Sequence, residues 1–207
     1  MKNLSITAVV LAAGNSSRMG RSKMALKWGD STVLETTIAH VQQAKVRSLL
    51  LVTGGYRDVV ERLPLVQKIP RVHNENYAVG EMISSIKIAL ETIKAGHTMP
   101  DGILVLPGDM PLVTTSIIDK CIAEWHQSPE KIVAPTYEGK RGHPVIFPMQ
   151  TFAEFETLPA QKSPRDLLKA NQSLLKLFSL DTQAIRIDVD TPVEYSKYRP
   201  GNTVSDE

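Results

Sequence analysis

Cysteine is scarce in this chain, and the residue patterns of two common kinds of active site are missing. The single cysteine, Cys121, excludes a disulfide framework, and the apolar residues at helical spacing around it favour a buried thiol over a nucleophile. No Cys/His spacing typical of a zinc site occurs, and no Ser-His-Asp arrangement can be argued from the sequence. The remaining candidates for chemistry are carboxylates and fixed positive charges.

A strong charge imbalance and a long apolar run are also absent from the sequence. The formal net charge is +2, and lysines and arginines are not interleaved with aromatic residues, which argues against nucleic acid as a partner. The chain has no signal-peptide pattern and no apolar run long enough to span a bilayer. We therefore expect a cytoplasmic protein with no membrane partner.

Strand and helix patterns alternate along the 207 residues, which suit one domain without a linker or an internal repeat. The predicted strands are residues 6–11, 48–53, 71–73, 103–106, 131–135, 144–147 and 185–188. The predicted helices include residues 57–63, 83–93 and 114–127, and two more begin with capping patterns at Ser163 and Thr191. The alternation predicts an α/β fold with a mostly parallel, doubly wound sheet, in which ligands bind beyond the carboxyl ends of the strands.

A loop of small and polar residues follows the first predicted strand. It reads Leu11, Ala12, Ala13, Gly14, Asn15, Ser16, Ser17, Arg18, Met19 and Gly20, with Lys23 just beyond it. The loop lacks the Gly-Lys-Ser/Thr of a Walker A motif, and it is not G-x-G-x-x-G because Ser16 stands at the second glycine position. Backbone N–H groups beside two positive charges favour phosphate binding. The loop therefore indicates a nucleoside triphosphate site, and a tight turn with surface charges is the alternative.

Two aspartates are predicted to meet at the same edge of the sheet. Asp109 follows a near-continuous apolar strand, and Asp190 lies between the predicted strand 185–188 and the helix that begins at Thr191. Mg²⁺ takes one or two carboxylates together with phosphate oxygens and water, so this pair predicts a magnesium site. An aspartate bonded to its own turn is the alternative for Asp109. Asp188 competes for the second place, but strand alternation points it away if Asp190 points inward.

The other unusual stretch is Arg141, Gly142, His143 and Pro144. His143 is held between glycine and proline on a turn that enters a predicted strand, so it is a candidate substrate contact. A surface turn is the alternative. The other four histidines lie in patterned or ordinary surroundings, and we interpret them as structural or surface residues.

Five motifs together resemble a known family. They are the 11–20 loop with Lys23, Asn76-Tyr77-x-x-Gly80 with Ser84-Ser85, Gly108-Asp109-Met110-Pro111, Arg141-Gly142-His143-Pro144, and Asp188-x-Asp190-Thr191-Pro192. In this order they resemble the MobA-like nucleotidyltransferases (NTP transferases), and within that group they resemble the molybdenum cofactor cytidylyltransferases most. The resemblance covers about residues 5 to 198.

The resemblance implies a three-layer α/β/α, Rossmann-like nucleotidyltransferase domain over residues 1–207. Its N-terminal part would bind the nucleotide, its C-terminal part would bind the acceptor, and roughly the last eight residues would be disordered. It implies an enzyme that uses Mg²⁺ to transfer CMP from CTP to the phosphate of the molybdopterin-bound molybdenum cofactor, with release of pyrophosphate. A client molybdenum hydroxylase or its maturation chaperone would be a further partner.

Carried over by position, the resemblance also implies residue roles. The nucleotide would be bound by Leu11, Ala12, Ala13, Gly14, Ser16, Ser17, Arg18, Lys23, Asn76, Gly80 and Ser84. The catalytic residues would be Lys23, Arg18 and Asp109, and the metal would be bound by Asp109 and Asp190. The acceptor side would be formed by Arg141, Gly142, His143 and Pro144.

Base choice and acceptor choice leave alternatives open. Guanylyltransferase relatives typically read Leu-Ala-Gly-Gly in the loop, whereas this chain has Ala13, and the extra methyl would narrow the base pocket in favour of CTP. One methyl is worth only ~1–3 kcal/mol. The alternatives are guanylyl transfer from GTP, nucleotidyl transfer to a sugar phosphate or another alcohol phosphate, and a non-catalytic carrier of the molybdenum cofactor. The presence of Lys23, Asp109 and Asp190 argues against the carrier.

Overall fold

The computed structural model describes residues 4–14, 22–78, 81–96, 98–159 and 162–201. Its strands are Ile6–Ala12 (β1), Lys27–Trp28 (β2), Ser31–Thr32 (β3), Ser48–Thr53 (β4), Arg71–His73 (β5), Gly102–Pro107 (β6), Ile132–Tyr137 (β7), Lys140–Arg141 (β8), Val145–Pro148 (β9) and Leu175–Ser179 (β10). Its α-helices are Val33–Gln43 (α1), Arg57–Val60 (α2), Glu81–Ala95 (α3), Thr115–Gln127 (α4), Phe152–Thr157 (α5), Pro164–Ala170 (α6) and Pro192–Tyr198 (α7).

One eight-stranded sheet takes strands from both halves of the chain, in the order β10-β7-β9-β6-β1-β4-β5, with β8 paired to β7. Strand β1 lies parallel between β4 and β6, and β4 is parallel to β5. Strand β9 is antiparallel to both β6 and β7. The predicted mostly parallel α/β fold is therefore confirmed, with β9 as an antiparallel insertion between parallel strands.

Helices cover both faces of the sheet because alternate residues of its central strand face opposite ways. In β1, Ala8 and Val10 pack into a core with α1 and α4, while Val9 and Leu11 pack into a second core with α3 and α5. Every residue of β1 is buried, as expected for a parallel strand with helices on both sides. Cys121 of α4 lies in the first core, and burial raises the pKa of its thiol to about 12.

Both predicted capping patterns begin helices. Ser163 and Asp166 form a reciprocal capping box at the start of α6, with Pro164 in the first turn. The side chain of Thr191 accepts a hydrogen bond from the N–H of Glu194 at the start of α7. No helix among the described residues is long and apolar enough to cross a membrane.

The strand predicted at residues 185–188 is wrong. The described chain from 162 to 201 has a 3₁₀-helix at Gln183–Arg186 and no strand at this point. The sheet position beside β7 is instead taken by β10, whose alternate residues are partly exposed at the edge of the sheet. Ile185 is buried against β7 as a single side chain and not as part of a strand. The sequence pattern therefore predicted the burial of Ile185 correctly and its backbone conformation incorrectly.

Candidate active site

The carboxyl ends of β1 and β6 place Gly14 and Asp109 side by side at one edge of the sheet. The N–H of Gly108 donates to the carbonyl of Leu11 over 2.8 Å. A Cβ on Gly108 would lie 2.7 Å from a methyl of Leu34 and 3.2 Å from that same carbonyl, so the turn accommodates only glycine without a shift. Asp109 is thereby fixed next to the small-residue loop.

The segment 188–190 is fastened to the same place by its backbone. The N–H of Val189 donates to the carbonyl of Asp109 over 2.9 Å, and the Val189 side chain is fully buried. Carboxylate oxygens of Asp109, Asp188 and Asp190 all lie within 4.8 Å of one another. We call these three residues the acidic cluster. The sequence argument that Asp188 points away is wrong, because it assumed a strand where the chain has no regular structure.

The Lys23 side chain contacts the acidic cluster directly. It begins the short 3₁₀-helix Lys23–Ala25, and its Nζ donates hydrogen bonds to Oδ2 of Asp109 and Oδ1 of Asp190. Burial by itself would lower the pKa of Lys23, but the charges and hydrogen bonds of Asp109 and Asp190 outweigh it and raise that pKa. Lys23 is therefore a fixed positive charge at the site.

The acidic cluster fits a divalent cation. Burial raises the pKa of Asp109, the charge and hydrogen bond of Lys23 oppose this, and the negative charge of Asp190 adds to it. Burial also raises the pKa of Asp188, with a further contribution from the charges of Asp109 and Asp190. Oδ1 of Asp109 is buried and has no hydrogen-bond partner among the described residues. An unbonded carboxylate oxygen beside two further carboxylates is the ligand set that Mg²⁺ or Mn²⁺ requires.

A cavity of about 250 Å³ opens on the loop side of the cluster, and we call it the nucleotide lobe. Of the predicted nucleotide-binding residues, Leu11, Ala13, Gly14 and Lys23 line it. Ala12 is buried in the core instead. Ser16, Ser17, Arg18 and Gly80 lie outside the described residues, as do residues 202–207 of the C-terminal tail predicted to be disordered.

The remaining wall of the nucleotide lobe comes from Tyr77 and from the start of α3. Asn74 is buried and donates to Ser84 Oγ over 2.8 Å and to Ser85 Oγ over 3.0 Å. Ser85 lines the lobe, and Ser84 accepts a hydrogen bond from the same Asn74. Asn76 is exposed, and its N–H donates to Oδ1 of Asn74. Sequence reasoning missed the organising role of Asn74, whose only signal was its position just after strand β5.

A larger cavity of about 730 Å³ opens on the other side of the acidic cluster, and we call it the acceptor lobe. The predicted residues Arg141, Gly142 and His143 line it, while Pro144 is buried behind them. Two arginines that sequence reasoning missed, Arg165 and Arg186, line it too. Both lobes are lined by Lys23 and Asp109, so the two cavities meet at these side chains.

The His143 ring faces the acceptor lobe in its neutral form. Burial lowers the pKa of His143 from 6.5 to about 4, and the charge of Arg165 also lowers it. A hydrogen bond with the backbone of Val105 acts in the opposite direction. Nδ1 of His143 has no hydrogen-bond partner among the described residues. The ring is therefore an uncharged part of the wall of the lobe.

Comparison with known proteins agrees with this geometry. A family model described as a MobA-like NTP transferase domain matches residues 8–175. The chain belongs to this family. It is therefore a nucleotidyltransferase, and the two lobes that meet at the acidic cluster are its candidate active site.

Three relatives illustrate the range of the family. The chain is 30% identical to the molybdenum cofactor cytidylyltransferase of Escherichia coli K12, over 92% of this chain and 93% of that protein. It is 32% identical to the molybdenum cofactor guanylyltransferase of Xanthomonas euvesicatoria, over 56% and 53% of the two chains. The crystal structure of Rv0371c from Mycobacterium tuberculosis, a complex with manganese, superposes with a TM-score of 0.77 at 27% identity, over 93% of this chain and 97% of that one.

Proposed function

We propose that this protein is a molybdenum cofactor cytidylyltransferase, which transfers CMP from CTP to the terminal phosphate of molybdopterin carrying its metal. The observation that carries the proposal is the meeting of two cavities at one acidic cluster. One cavity lies on a loop that resembles a nucleotide-binding motif, and the other is large enough for a second substrate. The nucleotidyltransferase family and the cytidylyltransferase of E. coli support the reaction class and the substrates.

The proposed reaction is a single displacement at phosphorus. An oxygen of the acceptor phosphate forms a bond to the α-phosphorus of CTP. The bond between the α-phosphorus and its bridging oxygen to the β-phosphate breaks, and pyrophosphate leaves with that electron pair. The acceptor is then joined to CMP through a new phosphoanhydride. Such chemistry depends mainly on positioning and on charge stabilisation, so a fixed Lys23 and a metal site are the parts that it needs.

In this proposal Asp109, Asp188 and Asp190 would hold Mg²⁺, which supplies charge neutralisation on the phosphates when bound. Hard carboxylate oxygens suit Mg²⁺, and its remaining ligands would be phosphate oxygens and water. The manganese complex of Rv0371c supports a divalent ion in this fold. Lys23 would contact the phosphates, together with Arg18, which lies outside the described residues.

CTP is the proposed nucleotide because Ala13 narrows the wall of the nucleotide lobe. A Cβ added to Gly54 would lie 2.7 Å from the Cβ of Ala13 and 2.7 Å from that of Tyr77. The N–H of Gly55 also donates to the Ala13 carbonyl over 3.0 Å. The Ala13 methyl is therefore closely packed beside Gly54 at the wall of the nucleotide lobe. Guanylyl transfer is the second candidate, and the identity to the Xanthomonas guanylyltransferase is the observation that favours it.

The acceptor assignment rests on the acceptor lobe and the family relatives, and a sugar phosphate is its rival. A non-catalytic carrier is disfavoured, because a carrier needs neither the acidic cluster nor the buried Lys23 beside it. A client molybdenum hydroxylase or its maturation chaperone is the proposed recipient of the product.

The deciding experiment measures pyrophosphate release from CTP and Mg²⁺, with and without molybdopterin that carries molybdenum. We expect release only when acceptor and metal are both present, and a lower kcat/KM with GTP than with CTP. Equal rates with CTP and GTP would refute the base assignment. Release that depends on a sugar phosphate and not on molybdopterin would refute the acceptor assignment.

A further inference from the structure

The walls of the acceptor lobe hold an unusual number of positive charges. Arg141, Arg165 and Arg186 all line this cavity, and we call them the arginine cluster. They come from three separate segments: the end of β8, the first turn of α6, and the end of the 3₁₀-helix Gln183–Arg186. Their presence in one cavity is therefore a product of the tertiary fold and not of a charged stretch of sequence.

Close backbone contacts bring two of these segments together. The N–H of His143 donates to the carbonyl of Ile185 over 2.8 Å. A Cβ on Gly142 would lie only 2.3 Å from the same carbonyl oxygen, so the contact requires glycine. Arg141 and Arg186 are the residues next to this contact, on the two sides of it. The spacing of their backbones is thus fixed by packing.

The third arginine, Arg165, is close enough to His143 for its charge to affect the ring. The charge of Arg165 is one of the influences that lower the pKa of the His143 ring. His143 is therefore close to all three arginines: it lies two residues after Arg141, its N–H bonds to the residue before Arg186, and the charge of Arg165 acts on its ring. Its buried Nδ1 has no hydrogen-bond partner among the described residues.

The three arginine side chains are exposed, and no carboxylate among the residues that the structure describes forms an ion pair with Arg141, Arg165 or Arg186. The carboxylates that line the lobe belong to the acidic cluster, two of which are already bonded to Lys23. Guanidinium groups without a partner, arranged around a cavity, are suited to bidentate binding of an anion.

Apolar side chains in the acceptor lobe limit the kind of anion that the arginine cluster can bind. Val105, Ala134, Val145, Phe147 and Leu168 give the cavity an apolar lining behind the arginines. A volume of about 730 Å³ is also far larger than a phosphate group needs. The ligand therefore has a body that packs on apolar side chains and carries negative charge on its outside.

We propose that the arginine cluster binds a second anionic group of the acceptor, separate from the phosphate that reacts at the acidic cluster. This inference rests on the proposed function and defines its acceptor class. The acceptor is a molecule with a phosphate at one end and an anionic group on its body, as in molybdopterin with its dithiolene. Arg165 and Arg186 set this specificity, and a phosphate ester with a neutral body lacks the group that they bind.

The test compares molybdopterin binding to the full chain and to the variants Arg165→Gln and Arg186→Gln, by calorimetric titration without CTP. We expect each variant to raise the Kd for molybdopterin about tenfold, because each loses a charge-assisted pair. The matched control is Arg47→Gln, an exposed arginine outside the lobe, which leaves that Kd unchanged. The Kd for MgCTP stays within about twofold in all variants.

Further measurements separate this inference from the proposed function. Arg165→Lys and Arg186→Lys keep the charge and restore part of the affinity, and circular dichroism checks that every variant is folded. An unchanged Kd in the glutamine variants, or the same loss in Arg47→Gln, overturns the inference. Failure of the wild-type protein to bind molybdopterin also overturns it. Arginine-dependent binding without pyrophosphate release would instead support the inference and refute the proposed function.

Discussion

Asp109 is buried beside two other carboxylates, and one of its oxygens has no hydrogen-bond partner among the described residues. Among the described residues, Lys23 is the cation that pairs with it. A buried carboxylate in this position depends on cations, so the substitution of Asp109 should affect ligand binding more than folding.

Asp109→Asn should lower kcat by about 100-fold or more, because it removes a carboxylate of the acidic cluster that would hold the metal. The affinity for Mn²⁺ should fall together with kcat, while circular dichroism and the free energy of unfolding stay close to wild type. Asp181→Asn, at an exposed position outside the cluster, is the control. Near-normal turnover in the Asp109 variant would count against the metal assignment.

His143 provides a prediction about acceptor use. His143→Ala removes an uncharged ring atom from the acceptor lobe and leaves the nucleotide lobe untouched, because the ring lines only the former among the described residues. The KM for the acceptor should rise more than the KM for CTP, in steady-state measurements of pyrophosphate release. An equal rise in both constants would remove the proposed role of this ring.

The same ring makes stability depend on pH. Burial lowers the pKa of His143 from 6.5 to about 4, so between these values the unfolded chain binds a proton that the folded chain does not. The free energy of unfolding should therefore fall as the pH drops from 6.5 towards 4. Urea unfolding at both ends of this range should show a smaller fall in His143→Gln than in wild type. The exposed His126→Gln variant should behave like wild type.

Some residues of the candidate site could be predicted from the sequence, and others could not. Lys23, Asp109 and Asp190 were predicted to act together, and the structure brings them into contact. Arg165 and Arg186 could not be predicted, because surface arginines look alike in sequence until the fold places them around one cavity. Asn74 was missed for a similar reason, since its hydrogen bonds cross from a strand end to a helix.

At the level of elements, the contact between the 142–143 segment and the 3₁₀-helix Gln183–Arg186 positions the acceptor lobe. Gly142→Ala should force the two segments apart, since its Cβ would lie 2.3 Å from the Ile185 carbonyl oxygen. We expect a loss of about 1–3 kcal/mol in the free energy of unfolding, typical of overpacking.

Urea unfolding measures this loss, and Gly139→Asn is the matched control. Gly139 has a φ of +71° and open space around its Cβ position, so asparagine fits there with little change. A Gly142→Ala protein as stable as wild type would show that the contact is not rigid. Its acceptor affinity would then also be expected to stay normal.

Most helices and strands were predicted, including the edge strand β5 at residues 71–73, whereas β10 at the other edge of the sheet was not. The strand at 48–53 was predicted with its observed bounds, because parallel strands buried on both faces give continuous apolar runs. Strand β10 lies at an edge and all five of its residues are partly or fully exposed, so its burial pattern is weak. The error at 185–188 arose because isoleucine alternates there with charged residues, as it does in a short strand.

At the scale of the whole molecule, ligands should stabilise the fold by linkage. Mn²⁺ at about one hundred times its Kd would add ~2.7 kcal/mol to the free energy of unfolding, which corresponds to a rise of about 5–10 °C in Tm. Thermal unfolding monitored by circular dichroism measures this rise. Asp190→Asn should show a much smaller shift, and a shift of equal size would place the ion elsewhere.

The shared wall between the two lobes also has a consequence for turnover. A molecule made by joining a nucleoside phosphate to the acceptor occupies both cavities at once, because Lys23 and Asp109 border each of them. Neither fresh CTP nor a fresh acceptor can then enter until that molecule departs. The joined product must therefore depart before the next cycle can begin.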